Sequence, residues 1–242
     1  MTPGAPDFAG IDLVVFDKDG TLIDFDVMWA GWTIGLATAL GTATGKPVAE
    51  RLYAAFGFDA GTGRAEDGNP LGSHSMADLR ALAVEVVARS GRPRDDAARI
   101  VAETWRAPDP VGLAVPLADL ALLFRTLRAD GRRIAVATGD DRGPTAATLD
   151  ALGVATLVDA IACPDDGHPT KPDPGMLRHL CSTLGVEPGR AAMVGDSAVD
   201  LEMARTAGFG LAVGVLSGVG DRAELEPLAD ALIDSVADLM DG

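Results

Sequence analysis

Apolar positions near the start of the chain change their period abruptly. Ile11-Asp12-Leu13-Val14-Val15-Phe16 is a short run rich in β-branched residues and reads as a buried strand. Beyond Thr21 the apolar spacing becomes helical. Asp24 or Asp26 can cap a helix carrying Trp29, Trp32, Leu36 and Leu40, which ends over residues 41–47. A second helical stretch spans about 48–56. Residues 59–75, with Gly61, Gly63, Gly68, Pro70 and Gly72, read as a flexible loop. Helices follow near 76–89, with Leu79, Leu82, Val86 and Val87 on one side, and near 94–105; Pro108 and Pro110 close the segment.

From residue 111 the rhythm is β-α-β. Helices are predicted near 117–129, 144–152, 174–184 and 198–207, and strands near 133–138, 157–162, 191–195, 210–215 and 231–233. Strands alternating with helices of this length imply a parallel sheet covered on both faces. The expected fold class is therefore α/β: a doubly wound, Rossmann-like parallel core formed by residues 1–22 and 111–242, with an inserted α-helical cap domain over 23–110.

Composition narrows the function. With 48% hydrophobic residues in 242, the chain can bury a full core. A net charge of −16 opposes binding to nucleic acid or to anionic membrane surfaces. Cys163 and Cys181 lack metal-ligand spacing and are too few for a disulfide framework. The longest uncharged apolar stretch, residues 27–40, is shorter than the roughly 20 residues a spanning helix needs. Residues 1–10 show no secretory pattern, so a cytoplasmic location is expected, as monomer or homodimer. G-x-G-x-x-G and P-loop patterns are absent.

The chemistry gathers at predicted strand ends. Asp17-Lys18-Asp19-Gly20-Thr21 follows the first strand; Thr138-Gly139-Asp140 follows another. Lys171 stands in Lys-Pro-Asp-Pro, and Gly195-Asp196-Ser197 with Asp200 ends a further strand. Ligands of open α/β sheets bind at that edge. Singly, each residue has a plainer reading, as a helix cap, a solvated loop lysine or a turn acid. Two aspartates two residues apart can divide labour, one as nucleophile or cation ligand, the other as proton donor. Carboxylates of Asp17, Asp196 and Asp200 brought within about 4 Å would repel by several kcal/mol each at an effective dielectric of about 20. A cation is required among them, and oxygen-only ligands favour Mg²⁺. Lys171 adds a second positive charge suited to a phosphate oxygen or to the nucleophilic carboxylate.

In these four motifs, taken in order over nearly the whole chain, the sequence resembles the haloacid dehalogenase superfamily, in its phosphatase branch with a helical cap, phosphoglycolate phosphatase-like. The resemblance implies Asp17 as nucleophile and metal ligand, and Asp19 as general acid, then general base, with its backbone carbonyl on the metal. It implies Thr138 and Gly139 holding phosphoryl oxygens, Lys171 neutralising charge, Asp196 as the second side-chain metal ligand, and Asp200 in support. Lys18 is expected to point away. The second motif, which in the family often continues with Asn or Gly after its Ser or Thr, here reads Thr138-Gly139-Asp140-Asp141-Arg142; Asp140 would place extra negative charge near a phosphate and is expected to turn aside or cap the next helix. From the insertion, Arg64, Asn69 and His74 are candidate substrate contacts, although a solvated surface loop accounts better for most of that stretch; Met28, Trp29 and Trp32 form a candidate apolar wall that core packing explains equally well, and His168, outside the insertion, is a candidate at the entrance that more often is a plain loop histidine. The expected activity is Mg²⁺-dependent hydrolysis of a small phosphorylated metabolite, phosphoglycolate-like or a sugar phosphate. A phosphosugar mutase of the same superfamily is the alternative, and a phospho-accepting signalling module a more distant one.

Overall fold

The structure, a computed structural model, describes residues 6–65 and 69–240. The first strand, β1 (Leu13–Phe16), is buried along its whole length. The chain then leaves the sheet for a helical layer. Helix α1 (Phe25–Thr44) begins at Asp24, whose carboxylate accepts the Val27 N–H at 3.0 Å, and stops at Gly45 in the left-handed conformation. It is followed by α2 (Ala49–Phe56), a hairpin of β2 (Phe58–Asp59) and β3 (Arg64–Ala65), and a single turn, α3 (Pro70–Ser73). Ser75 and Asp78 form a reciprocal capping box at the start of α4 (Met76–Arg89), and α5 (Arg94–Thr104) completes the layer. The remaining elements are α6 (Leu120–Ala129), β4 (Arg133–Ala137), α7 (Arg142–Ala151), β5 (Ala160–Ala162), α8 (Gly175–Leu184), β6 (Ala191–Gly195), α9 (Ala198–Ala207), β7 (Leu211–Val215), α10 (Arg222–Leu225) and β8 (Ala231–Ile233).

Six strands form one parallel sheet in the order β5-β4-β1-β6-β7-β8. Alternation along the strands builds a core on each face. Leu13, Val15, Ala135, Ala137 and Met193 pack with α8 and α9, while Val14, Phe16, Ile134, Val136 and Val194 pack with α6. This is the doubly wound α/β architecture expected from the alternating pattern. Helices α1, α2, α4 and α5 bury a third cluster of their own around Leu40, Leu52, Leu79, Val87 and Val101.

The two segments joining this helical layer to the sheet run beside each other. Asp24 N–H donates to Val115 O at 2.8 Å and Leu117 N–H to Leu22 O at 3.0 Å. Two departures from sequence expectation stand out. The stretch 59–75 is structured where described: glycines at 61 and 63 turn a hairpin instead of marking an open loop, and Asn69 caps α3. Gly68 lies outside the described residues. The strand expected over 157–162 shortens to Ala160–Ala162 because Ala155–Leu157 winds into a 3₁₀ turn first.

Candidate active site

The sheet order places β1 between β4 and β6, in a register that aligns Phe16 with Val136 and Val194. Asp17, Thr138 and Asp196 therefore emerge beside one another at the carboxyl edge. Lys171, on the connection from β5 to α8, reaches into the same point. Its Nζ donates to Asp17 Oδ1 at 2.5 Å and to Asp200 Oδ1 at 2.6 Å, with the side chain only 8% exposed. Asp200 is carried by the first turn of α9, and Ser197 Oγ donates to its other oxygen at 2.5 Å. Thr138 is buried, and its Oγ1 accepts the Asp140 N–H at 3.1 Å, leaving the hydroxyl hydrogen to be donated elsewhere. Gly139 is exposed at the rim.

Asp17, Asp196 and Asp200 each present an oxygen, and these atoms lie within 4.8 Å of one another. Burial pushes Asp17 up to about 7 against the pull of Lys171, with Asp200 adding to the rise. Burial, Asp17 and Asp200 raise Asp196 well above the ordinary carboxylate range. One lysine thus leaves the cluster short of positive charge. Three buried, oxygen-only donors in that state fit a hard divalent cation such as Mg²⁺. The side chain of Asp19 is not part of this cluster.

It is turned toward Lys18, which does not line the cleft but is held by two acids that do. Lys18 is 1% exposed, and its Nζ donates to Asp19 Oδ1 at 2.6 Å and lies 3.2 Å from Asp140 Oδ2. Burial opposes the Lys18 charge, but Asp19 and Asp140 outweigh it and hold the ammonium above the usual lysine range. Asp140 accordingly neither turns aside nor caps α7. It is pushed up to about 6, chiefly by burial and against the effect of Lys18. The acid of the second motif, Asp140, is matched by the lysine of the first, a pairing of positions more than a hundred residues apart that local spacing does not reveal.

The cleft above these groups is closed on the helical side by Phe25, Trp29, Leu71, His74 and Met76. Trp29 and His74 are where the sequence reading put them. Met28 lines a neighbouring recess instead. Trp32 belongs to the interior of the helical layer, stacked on Phe56 and donating to Arg106 O at 2.6 Å. Arg64 lies off the cleft, 3.4 Å from Asp26, and Asn69 is spent as a cap. His168 lies against His179 with the rings tilted, 4.4 Å between ring centres, and does not line the cleft.

Sequence reasoning missed the cradle of Asp196. Thr21 Oγ1 donates to its Oδ1 and Val219 N–H to its Oδ2, both at 2.9 Å. Gly20 and Gly218 approach the same carboxylate so closely that a Cβ at either position would overlap it. Gly218 follows β7 in a glycine-rich turn at the same sheet edge, the one sequence feature that pointed there.

A doubly wound sheet with a lysine-bridged acidic centre at its strand ends defines an α/β enzyme of the open-sheet class. The chain belongs to the haloacid dehalogenase-like hydrolases: residues 11–208 match that family. A phosphoglycolate phosphatase of Rhodospirillum rubrum is 32% identical over 216 residues, which cover 83% of this chain and 78% of that protein. In structure, a protein of Haemophilus somnus described as a predicted phosphoglycolate phosphatase shares the fold with a TM-score of 0.69 at 19% identity, covering 96% of this chain and 97% of that one. A β-phosphoglucomutase of Clostridium difficile shares it with a TM-score of 0.64 at 17% identity, over 95% and 93% of the two chains.

Proposed function

We propose that this chain is a Mg²⁺-dependent phosphatase that hydrolyses a small phosphomonoester through an aspartyl-phosphate. The observation carrying this reading is Lys171 bridging Asp17 and Asp200 beside a charge-deficient carboxylate cluster. Asp17 and Asp196, the backbone carbonyl of Asp19 and, in support, Asp200 would hold Mg²⁺. When bound, the ion neutralises phosphoryl charge and the mutual repulsion of these acids.

The remaining work falls to the chain itself. Lys171 orients the Asp17 carboxylate through one oxygen, freeing the other to attack phosphorus as the ester P–O bond breaks. Asp19, rotating off Lys18, delivers a proton to the departing alcohol oxygen. It then takes a proton from the water that cleaves the acyl phosphate, which restores Asp17 and frees inorganic phosphate. Thr138 Oγ and the Gly139 N–H donate to phosphoryl oxygens as charge builds, with Lys171. Residues 23–110 act as a cap whose cleft-facing side chains exclude water during turnover. No described helix is long and apolar enough to cross a membrane, and the charge of −16 further supports a cytoplasmic enzyme working on soluble metabolites.

The test is phosphate release from p-nitrophenyl phosphate and a metabolite panel, for the native chain and Asp17→Asn, with and without Mg²⁺. Metal-dependent release abolished by the substitution is expected. Transfer of the phosphoryl group back to substrate without phosphate release would replace hydrolase by mutase, and absence of any turnover would overturn the reading.

A further inference from the structure

Resting on the phosphatase reading, we infer that the leaving alcohol is an uncharged aryl or alkyl group, seated in a recess between the helical layer and the sheet, and not a carboxylate-bearing group such as glycolate. The recess shares Met76 and Asp140 with the reacting cleft, and its further walls include Met28, Trp105, Pro108, Pro144 and Asp141. The departing oxygen is protonated by Asp19, and Asp19 is tied through Lys18 to Asp140, the residue dividing cleft from recess. Asp19 and Asp140 both line the cleft and Asp140 lines the recess as well, so the recess adjoins the cleft where it can receive a substituent too large for the cleft alone.

The recess offers hydrocarbon and aromatic surface, and its charged groups are the carboxylates of Asp140 and Asp141. A substrate carboxylate placed there would be desolvated beside Asp141, with Lys18 offsetting the charge of Asp140 alone. The cleft itself offers a carboxylate little positive charge. Among the described residues lining cleft and recess, the basic side chains are Lys171 and His74, and Lys171 is already shared by Asp17 and Asp200. Arg64 pairs with Asp26 outside the cleft, and Arg106 donates to the carbonyls of Glu103 and Trp105. Apolar burial in the recess and repulsion from its acids select for the same class of alcohol.

The experiment compares 2-phenylethyl phosphate with 2-phosphoglycolate, under Mg²⁺, on the native enzyme and on Ala107→Arg, which adds a cation at an exposed position on the rim of the recess. The native enzyme is expected to favour the phenylethyl ester by at least about tenfold in kcat/KM. Ala107→Arg is expected to narrow or reverse that ratio, mainly through KM. Equal or better turnover of phosphoglycolate by the native enzyme, or a ratio unmoved by the arginine, overturns the inference while leaving the phosphatase reading standing. Failure to hydrolyse these esters and p-nitrophenyl phosphate alike overturns both.

Discussion

At the scale of single residues, the site is built from close approaches more than from long side chains. Gly218 exists so that Asp196 can sit against backbone. In Gly218→Ala the new methyl group must displace that carboxylate, so the Mg²⁺ concentration for half-maximal activity is expected to rise about tenfold or more, with overall stability reduced by only about 1–3 kcal/mol. A magnesium titration checks this, and an unchanged midpoint would show that Asp196 does not hold the ion. Lys18 makes a second case. Its ammonium is the buried counter-charge of both Asp19 and Asp140, so Lys18→Met strands two acids. A loss of about 3–5 kcal/mol in urea unfolding is expected, partly recovered in Lys18→Met/Asp140→Asn. A loss below about 1 kcal/mol would mean that the pair contributes nothing to the fold.

At the scale of elements, the helical layer holds a core distinct from the two that flank the sheet. Leu79, 1% exposed on α4, lies within it, and Leu79→Ala is expected to cost about 2–5 kcal/mol. Hydrogen exchange should then accelerate in α2, α4 and α5 more than in β1, β4 and β6; uniform acceleration would show that layer and sheet unfold as one unit. Much of this architecture was legible in the sequence. Period-2 and period-3.6 patterns located β6, α4 and α9 with their observed bounds, and the strand-end acids with Lys171 were readable because their chemistry makes sense only together. What escaped was either too short or too non-local. The β2–β3 hairpin has two residues per strand, below any periodic signature. The Lys18–Asp140 pair and the Val219 amide on Asp196 depend on which strands are neighbours, a fact fixed by topology and not by spacing.

At the scale of the whole molecule, the buried acids tie stability to pH and, on the proposed reading, to Mg²⁺. Asp17, Asp140 and Asp196 have folded-state values raised above the ordinary 3.8, so the folded chain binds more protons than the unfolded one above about pH 4. Their contribution therefore makes stability fall as pH rises from about 4 through about 7, whereas the Arg-paired Asp166 and Asp230, with lowered values, act in the opposite sense only below that window. Melting temperature in EDTA is expected to drop between pH 5 and pH 8, and Mg²⁺ to restore it at pH 8, by about 2.7 kcal/mol at a hundredfold excess over its dissociation constant. Asp196→Asn should flatten the drop and remove the magnesium effect; a native melting curve indifferent to both pH and Mg²⁺ would contradict this linkage. The side-by-side pairing of the chain at Leu22–Asp24 with Val115–Leu117 has another consequence. Everything between departs and returns through one doorway, so a short turn bridging Leu22 to Leu117 would close the sheet's chain without rerouting a strand. On the proposed reading, in which these helices cover the substrate, they are expected to be exchangeable as a cassette that alters substrate choice while the groups at the strand ends stay in place.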